Sequence, residues 1–213
     1  SRRTCTRWRI PLQICSLTSR KCVALAAVAR AVANLPTPAV AQNEAQAKAL
    51  IDKAVAYINK VISSGKSLDR MIKDFEKIFV KYGDVSIIAR SALGPDARSL
   101  SKSQLNSYTK AFQGYISRKY GKRFNEFVGG KVEVTGSRPV KSFYEVSAKV
   151  TLRGQKPFQV AFLVSDKSGK NKFFDLIIEG ISLRLSEKAE IGAMLDRRKG
   201  DINGLIQDLK KAG

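Results

Sequence analysis

Histidine is absent from the 213 residues, and the only cysteines, Cys5, Cys15 and Cys22, fall within the first 22. Beyond Cys22 the chain therefore lacks the imidazole and thiol from which most nucleophile, general-base and metal sites are built. That deficit favours binding over chemical transformation, so we expect no enzyme activity, no metal and no cofactor. Residues 42–213, free of cysteine, can stand in an oxidising compartment without wrong pairings but gain no disulfide. An ordinary hydrophobic core has to hold them, which is feasible for one domain, since chains of this size bury about two-thirds of their unfolded surface. The sequence shows no internal repeat, linker or low-complexity stretch. Its apolar run from Cys22 to Ala29 is broken at Arg30, far short of the roughly 20 residues that span a bilayer.

What the leading segment does have is the pattern of an export signal. Ser19-Arg20-Lys21 supplies positive charge, the run Cys22 to Ala29 follows, and Ala39-Val40-Ala41 before Gln42 is a small-x-small cleavage site. The expectation is removal of residues 1–41, export to the periplasm, and a single domain over 42–213. Arg20-Lys21 and Arg2-Arg3 are poor matches to a twin-arginine signal, which leaves the translocation route open. Residues 1–41 carry seven of the 39 basic residues and no acid, so residues 42–213 keep 32 basic against 18 acidic, a net +14. Such a surface favours polyanions: nucleic acid, anionic lipid headgroups or acidic partners. Export argues against nucleic acid.

The remainder divides by period. Apolar residues recur at helical spacing over Glu44–Ile62, then from Ser67 as a cap through Met71, Phe75, Ile78, Phe79 and Tyr82, then from Asp84 through Val85, Ile87, Ile88 and Ala89 to Gly94-Pro95. Ser101 or Ser103 opens a long helix whose aromatic-heavy face runs from Leu105 to Phe127, closed by Gly129-Gly130. The period then becomes two. Lys131–Val140 carries a turn near Gly136 to Pro139; Tyr144 to Leu152, Phe158 to Val164 and Lys172 to Ile181 follow as strands. Gly180 reads as a bulge re-aiming Ile181 and Leu183. Helices over Ser186–Arg197 and Asp201–Lys211 close the chain. The expected class is α+β, a four-stranded antiparallel curved sheet packed with about six to seven helices.

At this point the residues carry a resemblance. Gln104, Tyr108-Thr109, Ala111-Phe112, Tyr115, Arg118 and Tyr120-Gly121 on the long helix are similar to a signature of the MlaC/toluene-tolerance family of periplasmic lipid-binding proteins. So are Pro157-Phe158 with Val160, Gly169, Phe174-Asp175 and Glu179-Gly180-Ile181-Ser182-Leu183. The spacing holds from about Ile72 to Leu209. Two stretches depart from it: Asn171 stands where the family often has Trp, and Leu185-Ser186-Glu187-Lys188 where it often has a Tyr-Arg pair. The resemblance implies a nuclear-transport-factor-like sheet and a monomeric carrier of phospholipid. It further implies shuttling between an outer-membrane lipoprotein and an inner-membrane ABC transporter, with transient contact at membrane surfaces, in maintenance of outer-membrane lipid asymmetry. A hopanoid or other apolar ligand is the alternative within the family; a basic nucleic-acid binder is the alternative outside it.

The apolar faces then have two readings, a filled core or a tunnel for acyl chains. On the second, the lining is expected from Phe75, Ile78, Phe79, Tyr82, Val85 and Ile88, from Phe112, Tyr115 and Ile116, and from Val146, Val150, Val160, Phe162, Val164, Leu176, Ile178 and Ile181. The densest basic patch supplies Arg118, Lys119, Lys122 and Arg123, either a solvated helix face or a contact for headgroup or partner. Tyr120 within it also permits base stacking, though no nucleic-acid motif surrounds it. Asp175 and Glu179 lie four apart on one strand face, about 13 Å, too far to share a proton, and are expected to serve the fold. Gly114 and Gly121 each cost about 1 kcal/mol in a helix relative to Ala and point to a kink or close packing.

Overall fold

Capping residues fix most of the helix boundaries in the computed structural model, which describes residues 39–213; residues 1–38, with nearly all of the expected export segment, lie outside the described residues. Helix α1 spans Ala39–Ile62 and α2 spans Leu68–Tyr82. Ser67 sits at the N-cap of α2, yet its side chain makes no cap bond. Helix α3, Val85–Leu93, starts at Asp84, whose carboxylate accepts from Ile87 N. A short 3₁₀ segment, Gly94–Arg98, leads to α4, Lys102–Gly121. There Ser101 accepts from Gln104 N while the Gln104 side chain accepts from Ser101 N, a reciprocal capping box.

Helix α4 stops at Gly121, and a separate single turn, α5, covers Phe124–Phe127, so the long helix expected up to Gly129-Gly130 is two pieces. A Cβ at Gly121 would sit 2.7 Å from Ile72 Cγ1; glycine is what lets α4 approach α2 this closely. Among the described residues no helix is long and apolar enough to cross a membrane.

The sheet has five strands in simple meander order: β1 Lys131–Val140, β2 Phe143–Thr151, β3 Phe158–Ser165, β4 Lys172–Ile178 and β5 Ile181–Ser182, all antiparallel. Three details correct the sequence reading. Gly136 is not in a turn: β1 continues past it, with a register shift between Val134 and Gly136, and the chain reverses at Lys141-Ser142 instead. Glu179 and Gly180 both take positive φ, 48° and 83°. They form the two-residue loop between paired Ile178 and Ile181, the geometry that suits a tight hairpin, so Gly180 creates a fifth strand rather than a bulge. Finally, α6 begins at Leu183, not Ser186, because Ser182 Oγ caps it by accepting from Leu185 N; it runs to Arg197, and α7 covers Ile202–Lys211.

The second irregularity, between Leu163 and Val164, leaves Phe174 as an extra residue in β4. Bulges of this kind increase the local twist and bend the strand, and here the bulge also resets the phase: Phe173, not Phe174, packs with Leu176 and Ile178 against the core. The interior is built as two clusters. One joins the inner sheet face (Val146, Ala148, Val150, Val160, Phe162, Val164) to α1 and α2. The other gathers α3, α4, α6 and α7 around Tyr108, Phe112, Tyr115, Ile191, Leu205 and Leu209. Phe173 packs against both.

Candidate functional site

Between the sheet and the helices lies a cavity of about 450 Å³, within the range of small-molecule sites. Its wall is apolar on most sides. Helix α1 contributes Ala54 and Ile58, α2 Phe75, Ile78 and Phe79, α3 Ile88, α4 Ile116, and α5 Phe124 and Phe127. The strands contribute Val132, Val150, Phe158, Val160, Phe162, Phe173, Leu176 and Ile178. The α2 stripe faces the cavity because 75, 78 and 79 share one helix face, and alternation along β3 turns Phe158, Val160 and Phe162 to the same side.

Of the expected lining, Phe75, Ile78, Phe79, Ile88, Ile116, Val150, Val160, Phe162, Leu176 and Ile178 come together here. The others lie elsewhere. Tyr82, Val146 and Val164 are buried in the packing of sheet against α1 and α2, while Phe112 and Tyr115 are enclosed in the helical cluster with Val85 at its edge. Ile181, on the short β5, is 66% exposed. Sequence reasoning passed over Ala54 and Ile58, although both belonged to a recognised helical stripe. Phe124 and Phe127 were on the aromatic face but assigned to a continuous helix. Phe173 was missed because the bulge at Phe174 shifts the alternation, and no sequence signal marks that shift.

The basic residues separate into different tasks. Arg118 donates from Nε to Ala212 O at 2.9 Å and from Nη2 to Leu209 O at 2.6 Å, satisfying carbonyls at the end of α7. Lys119 is drawn into a partly buried polar cluster. Its ammonium donates to Glu187 Oε1 at 2.8 Å, to Tyr115 Oη at 3.0 Å, and to Glu190 Oε2. Lys122 is exposed. Arg123 pairs with Glu126 at 3.0 Å, and of the four expected cations it alone lines the cavity. Arg118 and Lys119, expected to contact a headgroup or a partner, are both engaged in internal bonds.

The cavity wall also has polar members, among them Tyr120, Asp175, Arg184 and Glu187. Asp175, 4% exposed, accepts from Leu176 N, Arg184 N and Ser182 Oγ and faces Arg184 Nε at 3.4 Å. Glu179 lies in the exposed β4–β5 loop, so the two acids share no strand face.

Burial pushes the Lys119 ammonium down, but hydrogen bonds to Glu187 and Glu190 outweigh it and hold its pKa above the ordinary value. Burial likewise opposes, and the bonds from Lys119 and Tyr115 overcome, so that Glu190 lies below the usual carboxylate range. Burial, assisted by the nearby carboxylates, pushes the Tyr108 and Tyr115 phenols well above their usual value. A group whose folded pKa is raised holds a proton that the unfolded chain gives up, so its stabilisation is complete below about pH 10 and is lost as the pH rises further. Between pH 9 and pH 11 each of these two phenols is expected to cost about 1.4 kcal/mol, together about 2.7 kcal/mol. Urea unfolding at the two pH values measures this; equal stabilities would contradict it.

Residues 48–211 match the family model described as MlaC protein. The chain belongs to the MlaC family. Among solved structures, the fold is similar to that of a phospholipid-binding protein from Ralstonia solanacearum in complex with a phospholipid. The TM-score is 0.67 at 20% identity, and the match covers 78% of this chain and 96% of that one. A comparison with curated proteins finds no match. The MlaC assignment thus rests on the family model, and the α+β fold with its antiparallel curved sheet is shared with the solved structure.

Proposed function

We propose that this MlaC-family protein is a periplasmic phospholipid carrier that holds acyl chains in the cavity between sheet and helices. On this reading it moves lipid between an outer-membrane lipoprotein and an inner-membrane ABC transporter. The observation that carries the reading is the apolar cavity itself, walled by side chains from α1 to α5 and from four strands, in a fold shared with a protein solved with phospholipid bound.

Energetics give the mechanism its form. Each methylene withdrawn from water contributes about 0.8 kcal/mol, so two long acyl chains amount to roughly 20 kcal/mol or more. Release into water is then negligible. Transfer from a bilayer into the cavity exchanges one apolar surrounding for another, close to balance, so loading and unloading take place where the protein meets a membrane-bound partner. No group on the protein has to form or break a covalent bond.

The test is native mass spectrometry of protein purified without detergent and then incubated with phospholipid vesicles. The expected result is a complex heavier than the protein by one phospholipid mass. A hopanoid mass would redirect the reading to the other ligand class, and protein that stays empty would overturn it.

A further inference from the structure

One carboxylate oxygen in the cavity wall stands without a donor. Glu187 is only 1% exposed, and it lines the cavity. Its Oε1 accepts from Lys119 Nζ at 2.8 Å and from Tyr120 Oη. Its Oε2 is buried with no hydrogen-bond partner among the described residues.

The two donors already on Glu187, Lys119 and Tyr120, have no proton left for Oε2. An ammonium has three protons, and those of Lys119 go to Glu187 Oε1, Glu190 and Tyr115. Tyr120 has one proton, already given to Oε1. Arg184 stands three residues earlier on α6, on the same side of the helix, and also lines the cavity. Its Nη1 donates to Ser91 Oγ at 2.7 Å, and its Nε, which makes no hydrogen bond, faces Asp175 at 3.4 Å. Turning Lys119 or Tyr120 toward Oε2 would break a bond already made, and Arg184 is held by Ser91 and by the charge of Asp175. A buried acceptor left in this condition is costly, whereas a ligand that brings a donor removes the cost and one that lacks it does not.

We propose that Glu187, with Arg184 beside it, forms a polar subsite in the cavity wall that takes a hydrogen-bond donor, a hydroxyl or a primary ammonium, on the carried lipid. The subsite rests on the carrier reading and adds selectivity to it. The apolar wall holds any lipid with suitable chains; the free oxygen ranks lipids by what their polar part can donate.

The experiment is competitive loading from vesicles containing equal amounts of phosphatidylethanolamine, phosphatidylglycerol and phosphatidylcholine with identical acyl chains. The readout is the ratio of bound species by mass spectrometry. Phosphatidylcholine has no N–H or O–H in its headgroup, and it carries the same net charge as phosphatidylethanolamine, so that pair is free of the basic protein's attraction to anionic lipid. The expected result is a preference of about tenfold for at least one donor lipid over phosphatidylcholine. Enrichment of phosphatidylethanolamine assigns the donor as ammonium; enrichment of phosphatidylglycerol relative to the Glu187→Gln variant assigns it as hydroxyl. In Glu187→Gln, where the free oxygen is replaced by or shared with an amide, the preference should fall to within about twofold.

Equal loading of all three lipids by the unaltered protein overturns the subsite while leaving the carrier reading intact, and this arm needs no variant to fold. A preference that survives in Glu187→Gln overturns the assignment to Glu187. Failure to load any lipid overturns both readings.

Discussion

Replacing Asp175 by Ala is expected to destabilise the protein by about 3–5 kcal/mol, the usual consequence of removing one partner from a buried ion pair. The effect is large because one carboxylate holds three elements. Its Oδ1 accepts from Leu176 N at 2.8 Å and Arg184 N at 3.0 Å, and its Oδ2 accepts from Ser182 Oγ at 2.7 Å. Ser182 in turn caps α6 through Leu185 N. Without Asp175, the Arg184 guanidinium loses the carboxylate beside it and the β4–β5–α6 junction loses its common acceptor. Unfolding in urea should show a lowered midpoint with an unchanged slope, and a melting temperature lower by about 6–20 °C for a chain of this size. Asp175→Asn keeps one acceptor oxygen and should lose less. A change under 1 kcal/mol in the Ala variant would contradict this role.

Glutamate in place of Ile116 or Phe162 is expected to empty the cavity. The two residues approach it from different sides, Ile116 from α4 and Phe162 from β3, and both are buried among its lining. In the empty protein a carboxylate at either position can draw water into the cavity, which limits the cost to folding. An acyl chain laid against it must expel that water. Desolvating a carboxylate costs several kcal/mol even after relaxation, and since each 1.4 kcal/mol is a factor of ten, occupancy should drop by about 100-fold or more. Circular dichroism and native mass spectrometry on the same preparation separate loss of loading from loss of fold. Unchanged occupancy in both folded variants would refute the placement of the cavity.

Much of this architecture could be read from residue order. The helical stripes, the change to a period of two after Gly129-Gly130 and the closing helices all lie close to where spacing put them, and the family was legible on α4 and on the run Glu179 to Leu183. What escaped was set by single backbone irregularities. The loop at Glu179-Gly180 and the extra residue Phe174 decide which side of β4 faces inward, and neither has a composition of its own that distinguishes it from a bulge or a regular strand. The cavity was legible only as a set of apolar faces. Whether Phe112 or Phe162 meets a void depends on how far apart helices and sheet are held, which is a property of three-dimensional spacing. The polar cluster around Glu187 was hidden for another reason: Lys119 lies 68 residues from Glu187 and 71 from Glu190 in sequence, and only the fold brings them together.

On the proposed carrier role the protein is at times empty, and the division of the interior into two clusters then has a consequence. An apolar void tends to collapse, because the side chains around it gain contact by closing in. Here the void belongs chiefly to the cluster under the sheet, whereas α3, α4, α6 and α7 close around a packed nucleus of their own. Helix α4 takes part in both, with Ile116 toward the void and Phe112 and Tyr115 in the solid half. The solid half is thus a frame on which the hollow half can stand open without a ligand.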